Sequence, residues 1–212
     1  MIDHTNLRAY ASVEDVKRLC AEANTHGFHC VVVNPSYVNL ACEELDGSDV
    51  DVCCVVGFPL GATKSVVKAF EARAAIEDGA SEIDMVMNIG ALKSQLERDV
   101  GRDVEAVVRE TKQLGGILKV IIEACYLTGG EKVLACKLAA SAGADFVKSS
   151  TGYADGAKVE DIRLMRATVG ERLGVKAAGG IKSFEDAIRM IEAGANRIGT
   201  SSSIKIMQEF RQ

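Results

Sequence analysis

The chain has 212 residues, 48% of them hydrophobic and 26% charged, with a formal net charge of −5. That length and apolar content suit one domain with a substantial buried core and exclude an intrinsically disordered chain. The acidic balance argues against a nucleic-acid or anionic-membrane surface, so an anionic substrate needs a local basic site.

A β-like run at 2–6 opens the chain, and Ser12 with Asp15 has capping-box spacing before an amphipathic stretch over 13–25. Apolar, β-branched runs follow at 30–34 and 52–57, then a helical pattern over 65–77. Strand signals at 82–88, 118–123 and 146–149 alternate with helical patterns over 99–114 and 132–142. A helix over 159–172 leads to a strand at 175–178, and Ser183 with Asp186 marks the start of another helix over 184–192. The last strand is at 197–199. Gly27, Gly79, Gly115, Gly143, Gly174 and Gly194 each follow a helical pattern, where a left-handed C-cap is commonly needed. Strands separated by helices imply parallel pairing through right-handed crossovers, and eight such units predict a single (β/α)8 TIM barrel over residues 1–212. A doubly wound sheet would want a GxGxxG turn after the first strand, and the chain has none.

The seven cysteines form no CxxC pair, so reduced core thiols in a cytoplasmic protein are expected. The opening MIDHTNLRAY shows no secretory pattern, and no apolar run approaches about 18 residues, so no membrane association is expected. The three histidines lack HxH or HExxH spacing, which gives a metal centre little support.

Barrel enzymes place their chemistry at the C-terminal ends of the strands. Lys148 in DFVKSSTG and Lys176 in GVKAAGG both occupy such ends, in neighbouring units. Two adjacent ammonium groups make each other harder to protonate, and a lysine with a lowered pKa is an amine nucleophile suited to Schiff-base chemistry. The plainer alternative is a pair of phosphate-clamping or solvent-facing lysines. Strand alternation turns Asp84, Lys119, Lys148 and Lys176 toward the same mouth of the barrel, where a carboxylate among lysines can hold protons during imine formation. Asp84 could instead serve only as counter-ion to an interior lysine. Thr151–Gly152, the GGIK segment 179–182 and the GTSSS segment 199–203 follow strands six, seven and eight. Their small residues let backbone N–H groups approach a phosphate, with helix starts at Ser183 and after Ser202.

With these residues in place, the chain resembles the deoxyribose-phosphate aldolase family over nearly its whole length. The resemblance is carried by IDHTNL, VVGFPLGATK, EARAAIEDGASEIDMVMNIGALK, LKVIIEA, AGADFVKSSTG, GVKAAGGIKS and RIGTSSS, in that order. It implies a class I, metal-independent, cofactor-free lyase acting on a small phosphorylated sugar and aldehydes. The implied reaction is reversible cleavage of 2-deoxy-D-ribose 5-phosphate to D-glyceraldehyde 3-phosphate and acetaldehyde, with a homo-oligomer, dimer or tetramer, as the working form. By motif, the Schiff-base lysine is Lys148, the second catalytic lysine Lys176 and the proton-relaying aspartate Asp84. Asp3, Thr5 and Lys119 match the supporting polar network. Gly152, Gly179, Gly180 and Lys182 match the first part of the phosphate site, and Gly199, Ser201 and Ser202 the rest. Val32 stands where some members carry a cysteine, the start is short, and QEFRQ lacks the terminal tyrosine of some relatives. The rivals to this reading are another phosphate-binding TIM-barrel enzyme, such as an isomerase, and a non-catalytic phosphate-binding barrel.

Overall fold

In the computed structural model, which describes residues 1–211, strands and helices alternate along the chain. β1 (Ile2–Thr5) leads to α1 (Val13–His26), β2 (Cys30–Val33) to α2 (Val38–Glu44), and β3 (Asp51–Val56) to α3 (Ser65–Glu77). β4 (Glu82–Val86) is followed by α4 (Ile89–Lys93) and α5 (Glu97–Gln113), and β5 (Ile117–Ile121) by α6 (Gly129–Ser141). β6 (Phe146–Lys148), α7 (Val159–Val169), β7 (Gly174–Ala178), α8 (Phe184–Glu192), β8 (Arg197–Thr200) and α9 (Ser203–Phe210) follow. Each strand pairs in parallel with its sequence neighbour, and β8 returns to β1 to close the expected (β/α)8 barrel.

The chain's polar starts set the helices. Ser12 and Ser183 accept from the N–H groups of Asp15 and Asp186, and both carboxylates answer in reciprocal capping boxes, as the spacing predicts. A third box, Thr128 with Glu131, starts α6 three residues before the expected 132, because Gly129 and Gly130 conceal the helical pattern. α2 and α4 span seven and five residues, too short for a 3.6-residue period to register.

One expected cap is corrected. Gly170, with φ at 57°, ends α7, while Gly174 is the first residue of β7. Gly174 is needed there for space, since a Cβ would come within 2.0 Å of the Phe146 ring.

Strand alternation then divides the molecule. Outward residues such as Val31, Cys54, Ile83, Met85, Val120 and Val175 pack against the helices and form the main core. Inward residues form a small apolar cluster of Leu7, Cys30, Val32, Cys53 and Val55. Val86 and Ile121 are buried on the same strand faces as Asp84 and Lys119, and charged side chains occupy much of the remaining interior. A barrel interior is ordinarily filled by branched aliphatics. A charged one is costly unless every charge is paired.

Candidate active site

The register fixes which side chains meet. Asp84 lies opposite Lys119 across β4 and β5, and Lys148 opposite Lys176 across β6 and β7. All four point inward, and none is more than 2% exposed. Lys148 and Lys176 each place Nζ 2.8 Å from the same oxygen, Asp84 Oδ2, while Lys119 Nζ lies 2.8 Å from Oδ1. Lys176 also reaches Asp3 Oδ2 at 2.6 Å.

These contacts treat the lysines unequally. Burial pushes the Lys148 amine down; Asp84 opposes this and Lys176 adds to it, and the net result is a lowered pKa. Burial also works against charge on Lys176, but Asp3 and Asp84 outweigh it and hold that ammonium charged. Burial would raise Asp84, yet Lys119, Lys148 and Lys176 together hold its carboxyl well below the usual range. The constellation is therefore a carboxylate flanked by two fixed cations and one amine that gives up its proton readily.

Of these four residues, Lys148 alone lines the cavity at the C-terminal mouth of the barrel, a space of about 420 Å³. Asp3, Asp84, Lys119 and Lys176 lie beneath it. Thr5, Gly152, Gly179, Gly180, Lys182 and Ser201 also line it, so most of the residues expected to bind phosphate are brought together. Gly152, Gly179 and Gly180 have φ between 76° and 87°, a backbone that side chains rarely adopt. Gly199 lines the cavity too, but its missing Cβ leaves room for the Lys176 stem, which would otherwise stand 3.0 Å away. Ser202 is not in the lining, and its N–H is taken by Thr200 Oγ1 at 2.9 Å. The N–H groups of Lys182 and Ser183 both donate to Asp186, which occupies the start of α8. α9 carries no such side-chain cap, so its first turn is the more open anion site.

Residues 1–209 match a family model described as DeoC/LacD family aldolase. The chain belongs to this family. A deoxyribose-phosphate aldolase of Thermococcus gammatolerans is 59% identical over 213 residues, covering 99% of this chain and 95% of that one. Its counterpart from Thermococcus kodakarensis is 58% identical over 210 residues, covering 98% and 94%. The tetrameric deoxyribose phosphate aldolase structure from Aeropyrum pernix superposes with a TM-score of 0.93 at 37% identity, covering 100% of this chain and 89% of that one.

Within this family member, sequence reasoning passed over two interior charges. Glu82 contacts Lys119 at 2.5 Å, and Arg197 joins Asp3 to Glu82 at 2.9 and 3.1 Å. The signal was available: Glu82 shares a strand face with Asp84, and Arg197 lies opposite Lys176. Tyr153 was also missed. It spans the mouth, donating from its hydroxyl to the Leu7 carbonyl at 2.6 Å with its ring edge-on to Phe58.

Proposed function

We propose that the chain catalyses the reversible aldol cleavage of 2-deoxy-D-ribose 5-phosphate to D-glyceraldehyde 3-phosphate and acetaldehyde through an imine on Lys148. The observation that carries this reading is the buried Lys148 amine at the cavity floor, sharing one carboxylate oxygen with a second lysine that stays charged. Neutral Lys148 adds to the C1 aldehyde of the open-chain sugar, and loss of water gives the protonated imine. That cation withdraws electrons from C2, and the C2–C3 bond breaks as the C3 hydroxyl loses its proton. The three-carbon phosphate leaves, and the remaining two-carbon enamine is protonated and hydrolysed to acetaldehyde. Asp84, held as a carboxylate within hydrogen-bond reach of Nζ, stabilises the cationic imine and passes protons between Lys148 and Lys176. The left-handed glycines at 152, 179 and 180, with Lys182, Ser201 and the open start of α9, receive the phosphate.

A homo-oligomer is supported by the tetramer of the Aeropyrum pernix relative, and a cytoplasmic location by seven free thiols. Among the described residues, no helix is long and apolar enough to cross a membrane. The test of the function is borohydride reduction in the presence of acetaldehyde, followed by mapping of the ethylated residue. An ethyl group on Lys148 is expected. An adduct on Lys176 or Lys119 overturns the assignment, and no adduct at all overturns the reaction.

A further inference from the structure

Below the cavity, three carboxylates and three cations close a ring of alternating charge. Glu82 Oε2 meets Lys119 Nζ at 2.5 Å, and that ammonium meets Asp84 Oδ1 at 2.8 Å. Asp84 Oδ2 meets Lys176 at 2.8 Å, and Lys176 meets Asp3 Oδ2 at 2.6 Å. Asp3 Oδ1 meets Arg197 Nη1 at 2.9 Å, and Arg197 Nη2 returns to Glu82 Oε1 at 3.1 Å. Every carboxylate oxygen has a cation, each cation bridges two carboxylates, and the formal charges cancel. Lys148 hangs outside the ring, attached only at Asp84 Oδ2. A proton on Lys148 would leave the buried cluster with one uncompensated positive charge, which a low-dielectric interior disfavours.

We propose that this ring sets the protonation state of Lys148, and that Glu82 and Arg197, which do not line the cavity, are positioning residues acting through it. The proposal rests on the reading of Lys148 as the nucleophile. It predicts opposite effects for opposite charges. Arg197→Gln leaves three carboxylates against Lys119 and Lys176, so Lys148 retains its proton to higher pH. Glu82→Gln leaves an excess cation, so Lys148 loses its proton at lower pH. Arg197→Lys keeps the balance, and so does the double variant Glu82→Gln with Arg197→Gln. A residue that merely fills space would not produce shifts of opposite sign that cancel.

Other titratable groups face this cluster. Cys53 Sγ lies 3.3 Å from Lys119 Nζ, and Cys30 lies against Asp3 and Glu82. His29, at the far mouth, reaches Glu82 Oε1 at 3.1 Å and Asp51 Oδ2 at 3.6 Å. His29 is titratable and partly open to solvent, so the variants are also compared in a His29→Asn background.

The experiment is trace labelling with acetic anhydride, which acylates only the neutral amine, with the Lys148 peptide quantified by mass spectrometry against pH. Circular dichroism follows folding. The labelling midpoint is expected to rise by about one pH unit or more in Arg197→Gln and to fall by a similar amount in Glu82→Gln. Arg197→Lys and the double variant should stay near the wild-type value. Folded single variants with unmoved midpoints, or with shifts of the same sign, overturn the proposal. If one single variant does not fold, the sign in the other decides. If neither folds, a folded double variant with the wild-type midpoint supports the proposal, and an unfolded one makes the ring structural only. The labelling needs no aldol chemistry, so a missing acetaldehyde adduct strikes the proposed function, while unmoved midpoints strike the ring.

Discussion

Two buried lysines of this molecule share a lowered pKa and differ in everything else. Lys68, on α3, is sealed between that helix and the barrel wall, with its own carboxylate, Asp103 Oδ2, at 2.5 Å and the Val86 carbonyl at 2.9 Å. Burial pushes its ammonium down, and Asp103 only partly restores it. Lys148 has no carboxylate to itself and opens onto the cavity. A lowered lysine pKa therefore records burial in both places. What separates the proposed nucleophile from the structural cation is the shared counter-ion and the room for a carbonyl carbon to approach.

The sharpest way to break the comparison is to remove each amine in turn. Lys148→Leu should abolish the borohydride-trapped adduct and lower kcat for deoxyribose 5-phosphate cleavage by about 10³-fold or more, since Lys148 is the one amine of the buried charged cluster that opens onto the cavity. Measurable turnover with an adduct elsewhere would move the nucleophile. Lys176→Met is the next largest perturbation. Two 2.8 Å contacts on one oxygen limit the Lys148–Lys176 separation to about 5.6 Å. At an effective dielectric near 20, that repulsion is worth about 3 kcal/mol, or about two pH units. The sign follows from the lysine: its working form is the neutral amine, so activity is lost as pH falls through its folded pKa. Removing Lys176 raises that pKa, so activity near pH 7 should drop by about 10²-fold and recover toward pH 9 to 10. An imine-formation profile with the wild-type midpoint would limit Lys176 to proton transfer or support of Asp3.

Lys148, Lys176 and Asp84 were visible as inward-facing charges because a charge within an apolar strand is conspicuous and period-two alternation tells which way it points. Lys148 ends β6, whereas Lys176 and Asp84 stand at the middle of β7 and β4 rather than at a strand end. Glu82 and Arg197 sit at strand starts, where a charged residue looks like an ordinary solvated terminus. Their importance depends on barrel closure, which joins positions 115 residues apart, and alternation within one strand does not reveal that. Gly174 was misplaced for a related reason. Its role is set by the Phe146 ring on the neighbouring strand, whereas the true cap, Gly170, lies only four residues earlier. The loops proposed to hold the phosphate do come together, as segments, at one cavity. Which N–H groups remain available depends on Asp186 and Thr200, whose side chains fold back onto the backbone.

A smaller effect is expected at the cavity rim. Ser201→Glu places a negative charge beside the proposed phosphate site and should raise KM for the phosphorylated sugar by about 10- to 100-fold, the range of one or two charge contacts. KM for unphosphorylated deoxyribose should change much less, and Lys148 should keep its labelling midpoint. Equal losses on both substrates would place the phosphate elsewhere.

The smallest effect on chemistry, and the largest on stability, belongs to Lys68. Lys68→Met keeps most of the stem volume but strands Asp103, which is 2% exposed and whose Oδ1 has no hydrogen-bond partner among the described residues. Breaking a buried pair by removing one partner costs about 3–5 kcal/mol. For a chain of this length that corresponds to a fall in Tm of about 10 °C. Lys68→Met with Asp103→Leu removes both charges and should recover most of that loss. In either variant, kcat per folded molecule should stay within about two-fold of wild type, because Lys68 lies outside the barrel ring and touches none of its members. Thermal unfolding and the Lys148 labelling profile, measured on the same preparations, separate the two outcomes. A destabilised Lys68→Met with an unmoved midpoint keeps the two lysines independent. A raised midpoint in the folded variant would mean that the outer pair contributes to the field at Lys148, and the distinction between structural and reactive lysine would then be one of degree.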